Sequence, residues 1–212
     1  MPSLVTCTRL PMRILSAVLS RTQRFRFVSE TRDTQTPATL EAWLLQNLVG
    51  VNNGPYWPVH PSSRVAHWQQ VLIGIETSPG LMPGCYIQGI GGIEIGDYTQ
   101  IAPNVGIISA NHDLCDNRTH IPEKVTVGSY AWIGMGAVIL PGVHLGDFTI
   151  IGANAVVTKS FEEGHCVVAG NPARLIRKLP VESCIRHRSR NEYNGFIPHA
   201  EFAEFRRRFL RL

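Results

Sequence analysis

The sequence predicts an all-β fold: a coil of short strands with a corner after each one. Three observations point to it. First, an aliphatic residue returns every sixth position, at Ile95, Ile101 and Ile107, then at Val127, Ile133, Ile139, Leu145, Ile151 and Val157. Second, the residue four places after each is mostly small, as at Thr99, Ala131, Ala137, Thr149 and Ala155. Third, glycine recurs just after the aliphatic position, at Gly96, Gly128, Gly134, Gly146 and Gly152. A period of six suits neither an amphipathic helix nor the alternation of a half-wet sheet. It is a repeat, and stacked repeats bury one continuous ladder of β-branched side chains. Gly and Asn/Asp are expected to take the unusual backbone angles at the corners.

In chain order, the first 29 residues carry no Asp or Glu. From Met12, the residues Ile14, Leu15, Val18, Leu19 and Thr22 share one helical face, with Arg13, Arg21 and Arg24 outside it. Such a helix suits an anionic membrane surface. An organellar transit segment and a helix packed on the coil are the other readings. After a polar linker, a second helix is expected with Thr36 as N-cap, Pro37 at its first position and Gly50 just past its end. Leu40, Leu44 and Leu48 mark its buried stripe, and residues 51–58 read as a loop. Val59, Val65, Val71, Ile75, Leu81, Ile87 and Ile93 are spaced like irregular first coils, and glycines 89, 91 and 92 suggest a bulge that resets the phase. The period stops between Asp113 and Val125, so this polar stretch must leave the coil. Past Gly164, Asn171 and Pro172 predict a short helix stopped by Pro180. The tail with Phe202, Phe205, Phe209 and Leu210 predicts an amphipathic helix that closes the coil or meets a partner chain. The expected divisions are 1–57, an amino-terminal extension; 58–170, the coil; and 171–212, a helix and basic tail.

Charge is uneven. Net charge is +4 overall, yet residues 1–30 carry five Arg and one Glu, residues 31–173 five basic and eleven acidic side chains, and residues 174–212 ten basic and four acidic. Basic ends suit an anionic partner. No nucleic-acid-binding motif accompanies them. Five scattered cysteines without a CxxC pair fit reduced thiols in the cytoplasm, and no apolar run is long enough to span a bilayer.

Three ordered motifs carry a resemblance. They are Ile107-Ile108-Ser109-Ala110-Asn111-His112, Val127-Gly128-Ser129-Tyr130-Ala131-Trp132-Ile133-Gly134, and Val157-Thr158-Lys159 followed by Val168-Ala169-Gly170-Asn171-Pro172-Ala173-Arg174. Over roughly residues 58–179 the chain resembles the hexapeptide-repeat acyltransferases, within them the maltose and galactoside O-acetyltransferase-like group. The resemblance implies a left-handed parallel β-helix with helical extensions, a C3 homotrimer, and acetyl-CoA as co-substrate without a metal. It implies acetyl transfer to a hydroxyl of a sugar or surface polysaccharide precursor; the thiols point to the cytoplasm, and the basic amino-terminal segment to peripheral contact at the inner membrane face.

His112 stands where the repeat gives way to the loop, and an imidazole suits the removal of a hydroxyl proton. The resemblance makes it the catalytic base, beside Asn111. Asp113, Asn111 or a main-chain carbonyl is left to orient its ring. Met135 would offer a backbone donor to the oxyanion, and Trp132 would wall the acyl channel. Ala153 would line the groove for the pantetheine arm, with Thr158, Lys159, Arg174 and Arg177 at the phosphates. A solvated charged face is the ordinary alternative for these last four. Other function classes are an antibiotic- or serine-modifying acetyltransferase, a carbonic anhydrase-like zinc enzyme, and a non-catalytic trimeric scaffold. The zinc reading lacks a close His pair, since His112 and His120 lie eight apart in what reads as an irregular loop.

Overall fold

The structure, a computed structural model, describes Met12 and residues 15–212. The chain visits three parallel sheets in a fixed order, here the first, second and third faces of a three-sided coil. The first circuit supplies β1 (Arg64–Ala66) and β2 (Val71–Ile73), and the second β3 (Tyr86–Gln88), β4 (Ile93–Ile95) and β5 (Gln100–Ile101). The third starts with β6 (Gly106–Ile108) and leaves the coil as a hairpin of β7 (Ala110–His112) and β8 (His120–Pro122). It then returns as β9 (Val125–Val127) and β10 (Trp132–Ile133). The fourth circuit is β11 (Val138–Ile139), β12 (His144–Leu145) and β13 (Thr149–Ile151). The last supplies β14 (Val156–Val157) and β15 (Cys166–Ala169).

The six-residue period is the register of these sheets. Val138 pairs with Val156 and Trp132 with Ile150, each eighteen positions on, which is three hexads. Across the hairpin Ile107 still pairs with Ile139. Ile87, Ile107, Ile139 and Val157 form one buried column, and Ile73, Ile95, Val127 and Leu145 a second. Ile101, Ile133, Ile151 and Val168 form the third. Each such burial contributes about 1.5–3 kcal/mol. The small residues of the repeat, Thr99, Ala131, Ala137, Thr149 and Ala155, are buried at the corners between columns.

The second six-residue series, ending at Ile87 and Ile93, has a simple origin. Ile93 and Ile95 are both inward residues of β4, as Val71 and Ile73 are of β2. Ile93 therefore adds a second buried side chain to a strand whose column residue is Ile95. Ile87, eight positions before Ile95, is a true change of phase: it falls at glycines 89, 91 and 92 as expected, but as two extra residues in the turn between β3 and β4 and not as a bulge, since both ladders are regular.

The phased glycines have a different role from the one expected. Gly96, Gly128, Gly134, Gly146 and Gly152 are not in the left-handed region. They are needed because coils stack closely there: a Cβ on Gly128 would strike the Asp147 backbone nitrogen, and one on Gly96 the Ser129 backbone. The left-handed angle falls two residues later: on Gly136 and Asn154, as expected of Gly and Asn, at the corner between the third and first faces, and on Tyr98, Tyr130 and Phe148 (φ 56°, 57° and 54°) between the second and third, with His165 (φ 45°) next in that row. These rings stack up the edge between the second and third faces, with centroids 5.3, 4.9 and 5.1 Å apart. A positive φ costs such residues about 1–2 kcal/mol, and each ring pair returns about 0.5–1.5 kcal/mol. Arg186 lies over Tyr130 and Phe148 and pairs with Asp147 at 2.8 Å. Tyr130 Oη donates to the His187 carbonyl at 2.8 Å, so residues 186–189 are strapped along this edge.

The extensions depart from expectation in three places. The second helix starts at Leu40, with Thr39 Oγ1 accepting from Ala42 N at 3.1 Å, so the N-cap is Thr39 and not Thr36. Ala38 explains the delay: it is buried, and its N–H is taken by Thr31 Oγ1. From Leu45 the helix widens to a π turn before Gly50 ends it in the left-handed region. The widening turns Leu48 to solvent and buries Gln46, whose side chain bonds Val59 N and the Trp57 carbonyl. The helix expected between Asn171 and Pro180 does not form. Instead β16 (Arg174–Lys178) pairs antiparallel with β15, because the last parallel strand leaves an open row of ladder partners.

A further hairpin of β17 (Tyr193–Asn194) and β18 (Ile197–Pro198) leads into the helix His199–Phe209. That helix sets Phe202 and Phe205 against Tyr56 at the first circuit, which decides for closing the coil within one chain. Phe27, Ala38, Tyr193 and Phe196 form a small second core, so the two extensions pack on each other. Of the expected amino-terminal amphipathic helix, Arg13 and Ile14 lie outside the described residues; residues 15–19 are helical, with Leu15 and Val18 exposed.

Candidate active site

The interruption of the repeat folds as the β7–β8 hairpin on the edge between the first and second faces. Asp113 closes its turn. Oδ1 accepts from Cys115 N at 2.8 Å and Asp116 N at 2.9 Å, which holds the carboxyl below its usual range. Asp113 is thus committed to the turn. The His112 ring is held by another group: Nδ1 lies 2.5 Å from the Asn117 carbonyl. A carbonyl only accepts, so Nδ1 carries the proton, and the neutral ring keeps its lone pair on Nε2. His112 and Asn111 share a cleft of about 390 Å³ with Leu114, Ile121 and Glu123.

His112 and His120 are cross-strand partners, with ring centroids 4.4 Å apart. The expectation that no close His pair exists is therefore corrected: the hairpin removes the eight-residue separation. No group of three His, Cys, Asp or Glu placed to hold a metal occurs among the described residues.

The other sequence-predicted residues stand elsewhere on the coil. Trp132 is exposed on the outside of the third face, between Gln100 and Ile150. Met135 follows at the corner between the third and first faces. Its carbonyl accepts from Asn154 N at 2.8 Å, and its N–H has no acceptor among the described residues. Ala153 occupies the same corner one circuit later and is exposed. Arg174 pairs with Ala169 at that end of β15, and Arg177 with Val167 further back. Thr158 and Lys159 lie on the hairpin's own edge, two circuits on, with Lys159 Nζ 5.6 Å from the Phe161 ring centre. One chain therefore divides the candidate residues between two edges that flank the first face. A larger cleft of about 850 Å³, between the second face and the carboxy-terminal helix, is lined by none of them.

Residues 124–159 match the family model described as bacterial transferase hexapeptide (six repeats). Over that segment the chain is similar to the hexapeptide-repeat transferases. Relatives include a candidate acetyltransferase of Dictyostelium discoideum, 38% identical over 129 residues, which are 59% of this chain and 66% of that protein. The galactoside O-acetyltransferase of Escherichia coli K12 is 40% identical over 91 residues, 41% of this chain and 44% of its own length. The matched segments thus span less than two thirds of these relatives. Among solved structures, a maltose O-acetyltransferase from Clostridium difficile 630 superposes with a TM-score of 0.54 at 26% identity. That alignment covers 84% of this chain and 89% of the other.

Two features escaped sequence reasoning. His120 gave no signal, because its eight-residue spacing becomes contact only once the hairpin register is known. Glu123 was part of the interrupted stretch, and only the return of the chain to β9 brings it to the cleft.

Proposed function

We propose that this hexapeptide-repeat protein is an acetyl-CoA-dependent O-acetyltransferase acting on a sugar hydroxyl, working in the cytoplasm on a left-handed coil. The observation that carries this reading is the His112 ring, tethered through Nδ1 to the Asn117 carbonyl so that Nε2 is free on an exposed cleft. Acetyl-CoA as co-substrate supplies the thioester. His112 Nε2 takes the proton of the acceptor hydroxyl as its oxygen attacks the thioester carbonyl. The unpaired N–H of Met135 donates to the oxyanion. Collapse of the tetrahedral centre breaks the C–S bond, and the imidazolium returns the proton to the departing sulfur. The exposed small residue Ala153 suits the narrow pantetheine arm, and Lys159, Arg174 and Arg177, exposed and without carboxylate partners among the described residues, suit its phosphates.

The division of these residues between two edges supports a threefold assembly. A C3 ring sets one chain's hairpin beside the next chain's corner at Met135. The outward side of the first face, with Tyr86, Ile108, Val138 and Val156 half-buried or exposed, gives such a ring an apolar axis. No helix among the described residues is long and apolar enough to cross a membrane; peripheral contact through the basic amino-terminal segment belongs to the same proposal, and flotation with anionic vesicles checks it. Purified protein should release free thiol from acetyl-CoA only with a hydroxyl acceptor. His112→Ala should slow release by about 10²–10⁴-fold while the mass in solution stays that of three chains. Full turnover by that variant overturns the reading.

A further inference from the structure

We propose that His120 is a positioning residue for His112, and that the two imidazoles titrate as a pair. The proposal rests on the reading of His112 as general base. Asp113 N donates to the Thr119 carbonyl at 2.9 Å, so residues 113 and 119 form a hydrogen-bonded pair of the hairpin ladder. The adjacent pair, His112 and His120, is then of the kind in which side chains approach most closely. The rings meet with centroids 4.4 Å apart and planes tilted by 43°.

Two constraints then act on the His112 ring. The Asn117 carbonyl fixes one nitrogen, and the His120 ring closes one side, so rotation about the ring axis is resisted from two directions. The contact also makes it harder for both rings to be charged together, because two cations at this separation repel. His120 thereby favours the neutral form of His112 that can accept a proton. The other charged groups around the pair do not replace this effect. Asp113 is bound to its turn, Asp116 is paired with Arg118 at 2.8 Å, and Glu123 faces the cleft at the hairpin base.

The test titrates the His112 imidazole by nitrogen-15 NMR in the full chain, alongside the pH dependence of kcat/KM. Wild type should show two coupled steps. In His120→Gln the His112 midpoint should rise by about half a pH unit, and the acid limb of kcat/KM should move up by the same amount. His120→Phe keeps a ring in contact without its charge, so it should show the same shift while recovering the plateau rate lost in His120→Gln. A His112 midpoint unmoved in both variants overturns the proposal. Activity that persists in His112→Ala would instead overturn the enzymatic reading, and the NMR titration would still decide whether the rings are coupled.

Discussion

Two edges of the same coil have been put to opposite uses. Between the second and third faces, Tyr98, Tyr130, Phe148 and His165 stack ring upon ring, and the strap around Arg186 covers them. Between the first and second faces, the chain instead pushes out a hairpin that bears an uncovered His112. The stacked edge has its polar groups satisfied by the strap: Arg186 by Asp147, Tyr130 Oη by the His187 carbonyl. The hairpin leaves a ring nitrogen and the Glu123 carboxylate facing an open cleft. Covered, stacked rings mark one edge and an uncovered imidazole the other, so a change at one should leave the other largely intact.

The sharpest way to break this comparison is at the hairpin. His112→Ala should lower kcat by about 10²–10⁴-fold with an unchanged melting temperature; a large fall in melting temperature would mean that the two edges are coupled. Next is Gly128→Ala at the foot of the stacked edge. Its new methyl has no room against the Asp147 backbone, and we expect a loss of about 1–3 kcal/mol from overpacking, read by urea denaturation. Tyr130→Ala should cost a comparable amount, about 2–4 kcal/mol, since the ring has a neighbour on each side. Thiol labelling separates the regions more gently. Cys115 is exposed in the hairpin turn, while Cys85 and Cys166 are buried with their thiols pushed up by desolvation. Among these three, Cys115 should react first by orders of magnitude in rate. The smallest effect concerns Asp113. Its folded pKa is depressed by the Cys115 and Asp116 N–H groups. The turn's stabilisation is thus fully present above the ordinary carboxyl pKa of about 3.9, and is lost as pH falls through the lower folded value. Hydrogen exchange at those two amides reads this loss.

The coil was legible because its determinants are local and periodic. Ile95 to Val157 announce the buried columns, and the break after His112 announces the hairpin. The same locality explains what could not be read. Thr36 and Pro37 form a sound capping signal, but a distant hydroxyl, Thr31, claims the Ala38 N–H first. Arg174–Lys178 looks like the start of a helix in isolation, and becomes a strand only because β15 offers it an edge. The phased glycines were legible as a pattern but not as a role, since close stacking between circuits is invisible in one hexad. His112 stood out by its place before the interruption. Its tether to Asn117 and its neighbour His120 depend on a turn whose register the sequence does not display.

The hairpin enters and leaves the coil at a single corner, and β6 still pairs with β11 as though nothing lay between them. Insertions and deletions there need satisfy only the spacing of two anchor points, Ser109 and Glu123, which are themselves joined by a backbone hydrogen bond of 2.9 Å. Lineages can therefore lengthen, trim or exchange this excursion without renegotiating the packing beneath it. The cleft around His112 is free to change shape on a scaffold that does not register the change.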